Sequence, residues 1–234
     1  MTRTLTFVPG TMCTQAVWQP VWDKLGDGLV CDYLAIERSE TSEAFRQTFL
    51  TAAEHAPLNL VAFSMGGYLA LEFAITHPDK VSSLITVSSS AYGLHEAEKK
   101  QRQSAIQYLK THRYTGIADA RLKQMLHATR HRDEPIKQVM RDMDAELGVE
   151  TLMTQLTVTS ERENLMDRLP EITCTSLILG GDEDPFLTVA QKQAMTEAIP
   201  NARTDTAPVC GHMVPLERAE WLAGQISSFH SSFD

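Results

Sequence analysis

The sequence has few cysteines, a deficit of basic residues and no long hydrophobic run, and each shortage excludes a class of protein. Its four cysteines, at positions 13, 31, 174 and 210, form no C-x-x-C pair, which argues against a structural zinc site and is typical of reduced thiols. No segment approaches the roughly eighteen apolar residues that a membrane-spanning helix needs. A glycine-rich phosphate loop and a dinucleotide fingerprint are also missing, so we expect neither a metal nor a cofactor.

Acidic side chains outnumber basic ones by 30 to 21, which gives a net charge of −9. The imbalance lies outside the middle of the chain, because residues 93–169 hold 13 basic and 12 acidic residues and the rest holds 8 and 18. An acidic body disfavours nucleic acids and anionic membranes as partners. Five basic residues of the middle region are interpreted as a solvated helix face rather than an anion site. They are Lys99, Lys100, Arg102, Lys110 and Arg113.

Length and hydrophobic content predict one compact domain. With 234 residues, of which 43% are hydrophobic, the chain can bury a single sizeable core, and we expect residues 1–234 to form one domain. Residues 1–10 have a strand pattern and are not charged residues that lead into a long apolar stretch and a cleavage site. That start differs from a secretory signal, so a cytoplasmic protein is expected.

Ser64 stands where a strand pattern changes into a helical one. Residues 58–63 predict a short buried strand, and the helical spacing after the serine ends near His77. An abrupt strand-to-helix turn strains the backbone of a nucleophilic serine, and the residues two positions on either side must be small. Ala62 and Gly66 meet this demand, so the segment is a relaxed form of the G-x-S-x-G motif.

A serine hydroxyl is a poor nucleophile at neutral pH and needs a histidine base with a carboxylate that orients it. Both occur later in the chain. Residues 175–185 predict a buried strand that runs into a glycine turn and an acidic cluster containing Asp182 and Asp184. His212 lies on a loop before a predicted final helix, residues 218–229. Serine, acid and histidine therefore follow the order in which such triads occur on a parallel sheet.

With these motifs the chain resembles the α/β-hydrolase family over nearly its whole length. The resemblance rests on four blocks in the expected order, residues 4–18, 59–77, 175–185 and 207–222. It implies an α/β fold, with a mostly parallel central sheet and helices on both faces. It also makes Ser64 the nucleophile, His212 the base and Asp184 the acid. Asp182 competes for the acid's role, but the family's acid usually precedes a proline, as Asp184 does.

The middle of the chain has a different pattern from its flanks. After a predicted strand at residues 81–87, strand signals disappear until about residue 175, and apolar residues recur at helical spacing instead. By the resemblance, residues 92–169 are the helical cap that α/β-hydrolases insert over the site. Such a lid would exclude water and shape the acyl pocket.

An acyl-transfer site also needs N–H donors for the oxygen that becomes negative. The N–H of Met65 is one candidate, since it opens the helix after Ser64, where N–H groups lack internal partners. The resemblance implies that Thr11 supplies the second donor, with Met12 as the alternative. Pro9 departs from the family, which often has a histidine there, so we expect this loop to be braced differently.

These residues predict a serine esterase that needs no cofactor. The expected substrate is a small or medium carboxylic ester, cleaved through an acyl-enzyme, which is the reaction of a carboxylesterase. Lactonase, thioesterase and C–C bond hydrolase or lyase chemistry remain alternatives on the same residues, because fold does not decide chemistry. A non-catalytic binder of small molecules is a further alternative. The sequence leaves the oligomeric state open.

Overall fold

The computed structural model describes residues 2–231. Six β-strands alternate with α-helices along the chain. The strands are β1 Arg3–Val8, β2 Leu29–Tyr33, β3 Leu58–Phe63, β4 Val81–Val87, β5 Thr175–Gly181 and β6 Ala202–Ala207. The helices are α1 Gln19–Trp22, α2 Ser42–Ala52, α3 Met65–Thr76, α4 Glu96–Thr111, α5 Asp119–Met125, α6 Glu134–Val158, α7 Val189–Ala198, α8 Val214–Glu217 and α9 Ala219–Ser231.

The strands form one sheet in the order β2-β1-β3-β4-β5-β6. Every pairing between them is parallel, so the predicted mostly parallel sheet is confirmed and is parallel throughout. Parallel strands that are covered on both faces are expected to be continuous apolar runs. The central strands β3 and β4 are buried along nearly their whole length, although β4 also contains serine and threonine, and their carboxyl ends lie side by side at one edge of the sheet.

Helices cover both faces of the sheet, as the resemblance implied. Successive strand residues point to opposite faces. In β3, Leu60 and Ala62 pack in a core with α2, α3 and α7, whereas Val61 and Phe63 pack in a second core with α1, α8 and α9. The two cores hold the sheet between two helical layers.

Two differences from the sequence-based expectations concern the last third of the chain. Strand β6 was not predicted, because it is an edge strand in which half-buried and exposed residues alternate and threonine and aspartate are frequent. The final helix predicted at residues 218–229 is confirmed as α9, and the second difference is the short helix that precedes it. The chain forms the short helix α8, leaves helical geometry at Arg218, where φ is −137° and ψ is 43°, and begins α9 at Ala219.

Helices α4, α5 and α6 occupy the chain between β4 and β5, the region that was predicted to be helical. In α6 the apolar spacing buries Met140 and Met143. The helix breaks at Gly148, whose φ of 76° lies in the left-handed region that glycine tolerates. By contrast, α4 buries none of its side chains. Within residues 2–231, no helix combines the length and apolar character required to cross a membrane.

His230 couples the stability of the fold to acid pH. It is 3% exposed, and burial lowers its pKa from 6.5 to about 4, with the positive charge of Arg3 acting in the same direction. An unfolded chain takes up a proton at this residue as the pH falls below 6.5, whereas the folded chain does not until about pH 4. Stability from this residue is therefore present above pH 6.5 and is lost as the pH falls toward 4.

We expect His230→Gln to lose less stability than the wild type between pH 7 and pH 5, because the side chain no longer titrates. Urea midpoints at the two pH values measure this difference. His112→Gln serves as the control, since His112 is exposed, and it should keep the wild-type pH dependence. An unchanged pH dependence in His230→Gln would show that another group causes the acid sensitivity.

Candidate active site

Ser64 occupies a strained turn between β3 and α3. Its φ of 50° and ψ of −113° are unusual for a residue other than glycine, and its N–H donates to the carbonyl of Val87 at the end of β4 (2.9 Å). A Cβ added to Gly66 would lie 2.3 Å from the carbonyl oxygen of Pro9. The motif predicted a small residue at that position, and the structure leaves room only for glycine, because the loop after β1 approaches the backbone closely.

The structure brings Ser64, His212 and Asp184 into one chain of hydrogen bonds. The Nε2 atom of His212 lies 3.0 Å from Ser64 Oγ, and its Nδ1 atom lies 3.0 Å from both carboxylate oxygens of Asp184. An ionised carboxylate can only accept, so Nδ1 carries the proton and Nε2 is left to accept from the serine. His212 and Asp184 are each 5% exposed, whereas Ser64 is half-buried and reachable.

The surroundings of Asp184 keep it ionised. Burial alone would raise its pKa, but the positive charge that His212 carries when it is protonated, the hydrogen bond from His212 and the N–H of Phe186 lower the pKa below its ordinary value. The Phe186 N–H lies 2.8 Å from Asp184 Oδ1. The rings of Phe63 and Phe186 also lie against the imidazole, with centroids 5.2 and 4.8 Å away.

The competing acid, Asp182, has a different position. Its two carboxylate oxygens accept the N–H groups of Val209 (2.8 Å) and Cys210 (2.9 Å). Val209 has a φ of 51°, so the carboxylate holds a strained turn just before the histidine. Asp184 is therefore the carboxylate beside the imidazole, and Asp182 supports the loop that carries it.

Glu217 is a second buried carboxylate that holds the histidine loop, and the sequence analysis missed it. Its Oε1 accepts the N–H groups on both sides of His212, from Gly211 at 3.0 Å and Met213 at 3.2 Å. Its Oε2 accepts the N–H of His127, in the chain after α5, at 2.8 Å. Glu217 is 3% exposed. A carboxylate in the apolar stretch five residues after the histidine was the available signal.

The predicted oxyanion donors lie in the loop after β1 and at the start of α3. A Cβ on Gly10 would lie 3.1 Å from Ser64 Cβ, so this loop adjoins the serine. Within residues 2–231, the N–H groups of Thr11 and Met65 donate to no protein acceptor, whereas the N–H of Met12 donates to Gln155 Oε1 (2.9 Å). The alternative donor, Met12, is thus engaged elsewhere.

Gln155 provides the different bracing that Pro9 led us to expect. It is fully buried, and besides accepting from Met12 it donates through Nε2 to the carbonyl of Glu37 (2.8 Å). Met12 has a φ of 53°, a conformation that a fixed hydrogen-bond partner helps to hold. A glutamine of α6 therefore ties the loop after β1 to the helical region. Nothing in the sequence around Gln155 indicates this role.

The cysteines beside the site are structural. Cys13 and Cys210 are both buried, and burial raises the pKa of Cys13 to about 12 and that of Cys210 well above its ordinary value. Both thiols are therefore protonated and unreactive at neutral pH. Across residues 2–231, no group of three or more histidine, cysteine, aspartate or glutamate side chains is arranged to hold a metal ion.

Two surface clefts lie elsewhere. One, of about 240 Å³, is lined by residues 37–40 and by Glu150, Thr151 and Thr154. The other, of about 490 Å³, is lined in part by Thr14, Tyr33 and Glu146. Neither is lined by Ser64 or His212, so the candidate site is defined by its side-chain geometry and not by these clefts.

A parallel sheet with a strained serine turn, an acid after a later strand and a histidine near the carboxyl terminus defines the class of α/β hydrolases. The sequence model of the alpha/beta hydrolase fold family matches residues 38–219. The chain belongs to this family.

Two curated relatives and one solved structure illustrate the similarity. A Bacillus subtilis protein, provisionally named 2-succinyl-6-hydroxy-2,4-cyclohexadiene-1-carboxylate synthase, is 26% identical over 83% of this chain and 71% of its own. A Paraburkholderia xenovorans 2-hydroxy-6-oxononadienedioate/2-hydroxy-6-oxononatrienedioate hydrolase is 24% identical over 89% and 72%. A thermophilic esterase from Thermogutta terrifontis superposes with a TM-score of 0.83 at 21% identity, over 99% and 90%.

The two candidate acids can be separated by substitution. We expect Asp184→Asn to lower kcat on the order of 10³–10⁴-fold, because an amide in place of the carboxylate favours the wrong histidine tautomer. Asp182→Asn should lower stability but retain most activity, since one amide oxygen can still accept a loop N–H. Hydrolysis of a chromogenic ester and thermal melting measure the two effects. The reverse ranking of activities, with both variants folded, would assign the acid to Asp182.

Substitution of Gln155 tests the bracing of the loop after β1. We expect Gln155→Leu to lower the free energy of unfolding by about 1–3 kcal/mol, because the buried Met12 N–H is left unsatisfied. It should also lower kcat by roughly 10-fold or more with little change in KM. The reason is that a less well-fixed loop positions the Thr11 N–H less accurately, and an oxyanion donor stabilises mainly the transition state. The matched control is Gln138→Leu on the exposed face of α6. A stability loss without a change in kcat would make Gln155 purely structural.

Proposed function

We propose that the protein is a serine hydrolase that cleaves small or medium carboxylic esters, the reaction of a carboxylesterase. The observation that carries this proposal is the hydrogen-bonded chain Ser64, His212 and Asp184 at the carboxyl edge of the sheet. The order of the contacts supplies a base for the hydroxyl and an anion for the base, which is what nucleophilic acyl transfer requires.

In the proposed mechanism the ester carbonyl binds beside Ser64. His212 Nε2 takes the hydroxyl proton as Oγ forms a bond to the carbonyl carbon, and the resulting oxyanion accepts the N–H groups of Thr11 and Met65. The imidazolium then returns its proton to the leaving alcohol, which leaves an acyl-serine. A water molecule, deprotonated by the same nitrogen, releases the acid and restores the serine. Asp184 stays ionised throughout and stabilises the imidazolium.

We further propose that residues 92–169 act as a cap within a single domain of residues 1–234. The N–H of His212 donates to the carbonyl of Met125 at the end of α5 (2.8 Å). A Cβ on Gly211 would lie 2.6 Å from the N atom of His127. These contacts support a helical region that is seated on the histidine loop, where it would exclude water from the acyl group.

Cleavage of a C–C bond next to a carbonyl is the second candidate. The Paraburkholderia xenovorans relative favours it, because that protein is named as a hydrolase of 2-hydroxy-6-oxo dienedioate compounds. The same serine and histidine would serve either reaction.

Either reaction would use a small-molecule substrate without a metal or cofactor. The free thiols of all four cysteines fit a cytoplasmic location.

A substrate panel tests the proposal. We expect the wild type to hydrolyse p-nitrophenyl acetate and butyrate, and Ser64→Ala to lose this activity on the order of 10⁴-fold or more, because the nucleophile is absent. The panel also includes a lactone, a thioester and a 2-hydroxy-6-oxo dienoate, followed by absorbance. Turnover of the dienoate alone would replace the ester assignment with the C–C candidate. Turnover of none of them would contradict both.

A further inference from the structure

Gly148 divides helix α6 into two halves that pack on different parts of the molecule. Its φ of 76° and ψ of 176° lie in a region of backbone conformation that essentially only glycine adopts. Before the break, Met140 and Met143 are buried in the core that contains α1, α8 and α9. After it, Val158 packs against the other core, which contains α2, α3 and α7. The helix therefore joins the two cores and changes direction at the glycine.

Both halves of α6 bind the loop after β1. In the second half, Gln155 Oε1 accepts the N–H of Met12 at 2.9 Å. In the first half, Met143 Sδ accepts the N–H of Thr14 at 3.4 Å. Gln155 and Met143 are 0% and 2% exposed, so both contacts are shielded from water. The loop is thus held at two positions that are two residues apart.

A straight helix would not present both of these side chains to one short loop. Residues 143 and 155 are twelve positions apart, and on an α-helix that spacing is about 18 Å along the axis and about 120° around it. Met12 and Thr14, in contrast, are joined by at most about 7 Å of chain. The change of direction at Gly148 therefore allows Met143 and Gln155 to reach the same loop.

The segment after β2 is also bonded to both halves of α6. Gln155 Nε2 donates to the carbonyl of Glu37 at 2.8 Å. Arg38 Nη2 donates to the carbonyl of Glu146, two residues before the break, at 3.2 Å. The two halves of the helix are therefore fixed relative to each other by contacts with the loops that follow β1 and β2.

The end of α6 is also bonded to α4. Arg102 Nη1 donates to Thr159 Oγ1 at 2.8 Å, and that hydroxyl donates to the carbonyl of Gln155 at 2.7 Å. The side chain of Arg102 is only 21% exposed. It does not lie on a solvated helix face, and the sequence-based interpretation was wrong for this residue because helical spacing does not locate a neighbouring helix. A displacement of this part of α6 would move α4 and release the N–H of Met12 together.

We propose that Gly148 is a positioning residue for catalysis. The break that it allows lets both halves of α6 hold the loop after β1, and this loop in turn holds the N–H of Thr11 beside Ser64. Thr11 directly precedes Met12, whose N–H is fixed by Gln155. The oxyanion donor then depends on the helical region as well as on the sheet, so the site is competent only while α6 packs against the loop. This inference rests on the proposed acyl-transfer function, but the hold on the loop does not depend on catalysis.

Hydrogen exchange tests the hold on the loop without turnover. A Cβ on Gly148 would meet nothing within 4 Å, so Gly148→Ala strains the backbone and causes no collision. We expect the amide hydrogens of residues 12–14 to exchange about 10-fold faster in this variant, because their acceptors on α6 are displaced. Mass spectrometry of peptides from the native-state reaction measures the rate.

Gly224→Ala is the matched control for this experiment. A Cβ on Gly224 would also meet nothing within 4 Å, but this glycine lies in α9 without a positive φ. Its substitution should leave exchange of residues 12–14 at the wild-type rate. Equal exchange of the loop in the two variants would overturn the proposal.

Kinetics test whether the held loop matters for catalysis. We expect Gly148→Ala to lower kcat for p-nitrophenyl acetate by about 10-fold with little change in KM, because an oxyanion donor acts mainly in the transition state. The Ki of an alkyl trifluoromethyl ketone should rise by about the same factor, since the oxygen of its serine adduct occupies the oxyanion position. Gly224→Ala should change neither value. A fall in kcat with unchanged inhibitor binding would make the effect of Gly148 merely structural and overturn the proposal.

A double substitution tests whether Gly148 acts through Gln155. Gly148→Ala combined with Gln155→Leu should lower kcat no further than the more damaging of the two single substitutions, because both release the same loop. Losses that multiply in the double variant would show that the two residues act independently, against the proposal.

Met143→Leu provides a second variant should Gly148→Ala fail to fold. It keeps the buried volume nearly constant and removes the sulfur acceptor, so the N–H of Thr14 should exchange faster. An unchanged rate there would also contradict the proposal. If the wild type hydrolyses no ester but the exchange differences are found, the ester function fails and the hold of α6 on the loop stands.

Discussion

The hydrogen bond between Ser64 Oγ and His212 Nε2 is the interaction on which the rest of the site depends, and it joins residues 148 positions apart. The serine is presented by a strained turn that the buried strand β3 and the helix α3 enforce from either side. The histidine lies on a loop that has no regular structure of its own. Its position must therefore come from side chains that hold the loop.

Two carboxylates hold that loop from opposite ends. Asp182 accepts the N–H groups of Val209 and Cys210 before the histidine, and Glu217 accepts those of Gly211 and Met213 on either side of it. Charge-assisted hydrogen bonds to backbone donors are stronger than neutral ones. Five consecutive residues, 209–213, thus include four whose N–H groups are fixed by an acid. Because the backbone around His212 is fixed, the imidazole lies within hydrogen-bond distance of the serine hydroxyl.

The fold and the three residues of the hydrogen-bonded chain could be predicted from the sequence, because strands, helices and turns each leave a local pattern of residues. Strands β3 and β5 each contain a short apolar run, and Ser64, Asp184 and His212 occupy turns whose residues mark them. The edge strand β6 was missed because its residues alternate between exposed and half-buried. Gln155 gave no signal, since a single glutamine acquires a partner only when α6 packs against the loop after β1. Tertiary placement, and not propensity, decides such contacts.

Charge placement in the helical region follows the same logic. The region is almost neutral in sum, yet its charges are sorted in space. Asp119 and Glu134 accept from Lys137, and they also pair with Lys123 and Arg141, so these acids are satisfied at one end of the region. The pairs between exposed partners contribute little to stability. Lys137 differs, because it is buried, and a buried ammonium group must be paired. Its two carboxylate partners come from α5 and from the start of α6, so the charge of one lysine holds these two helices together.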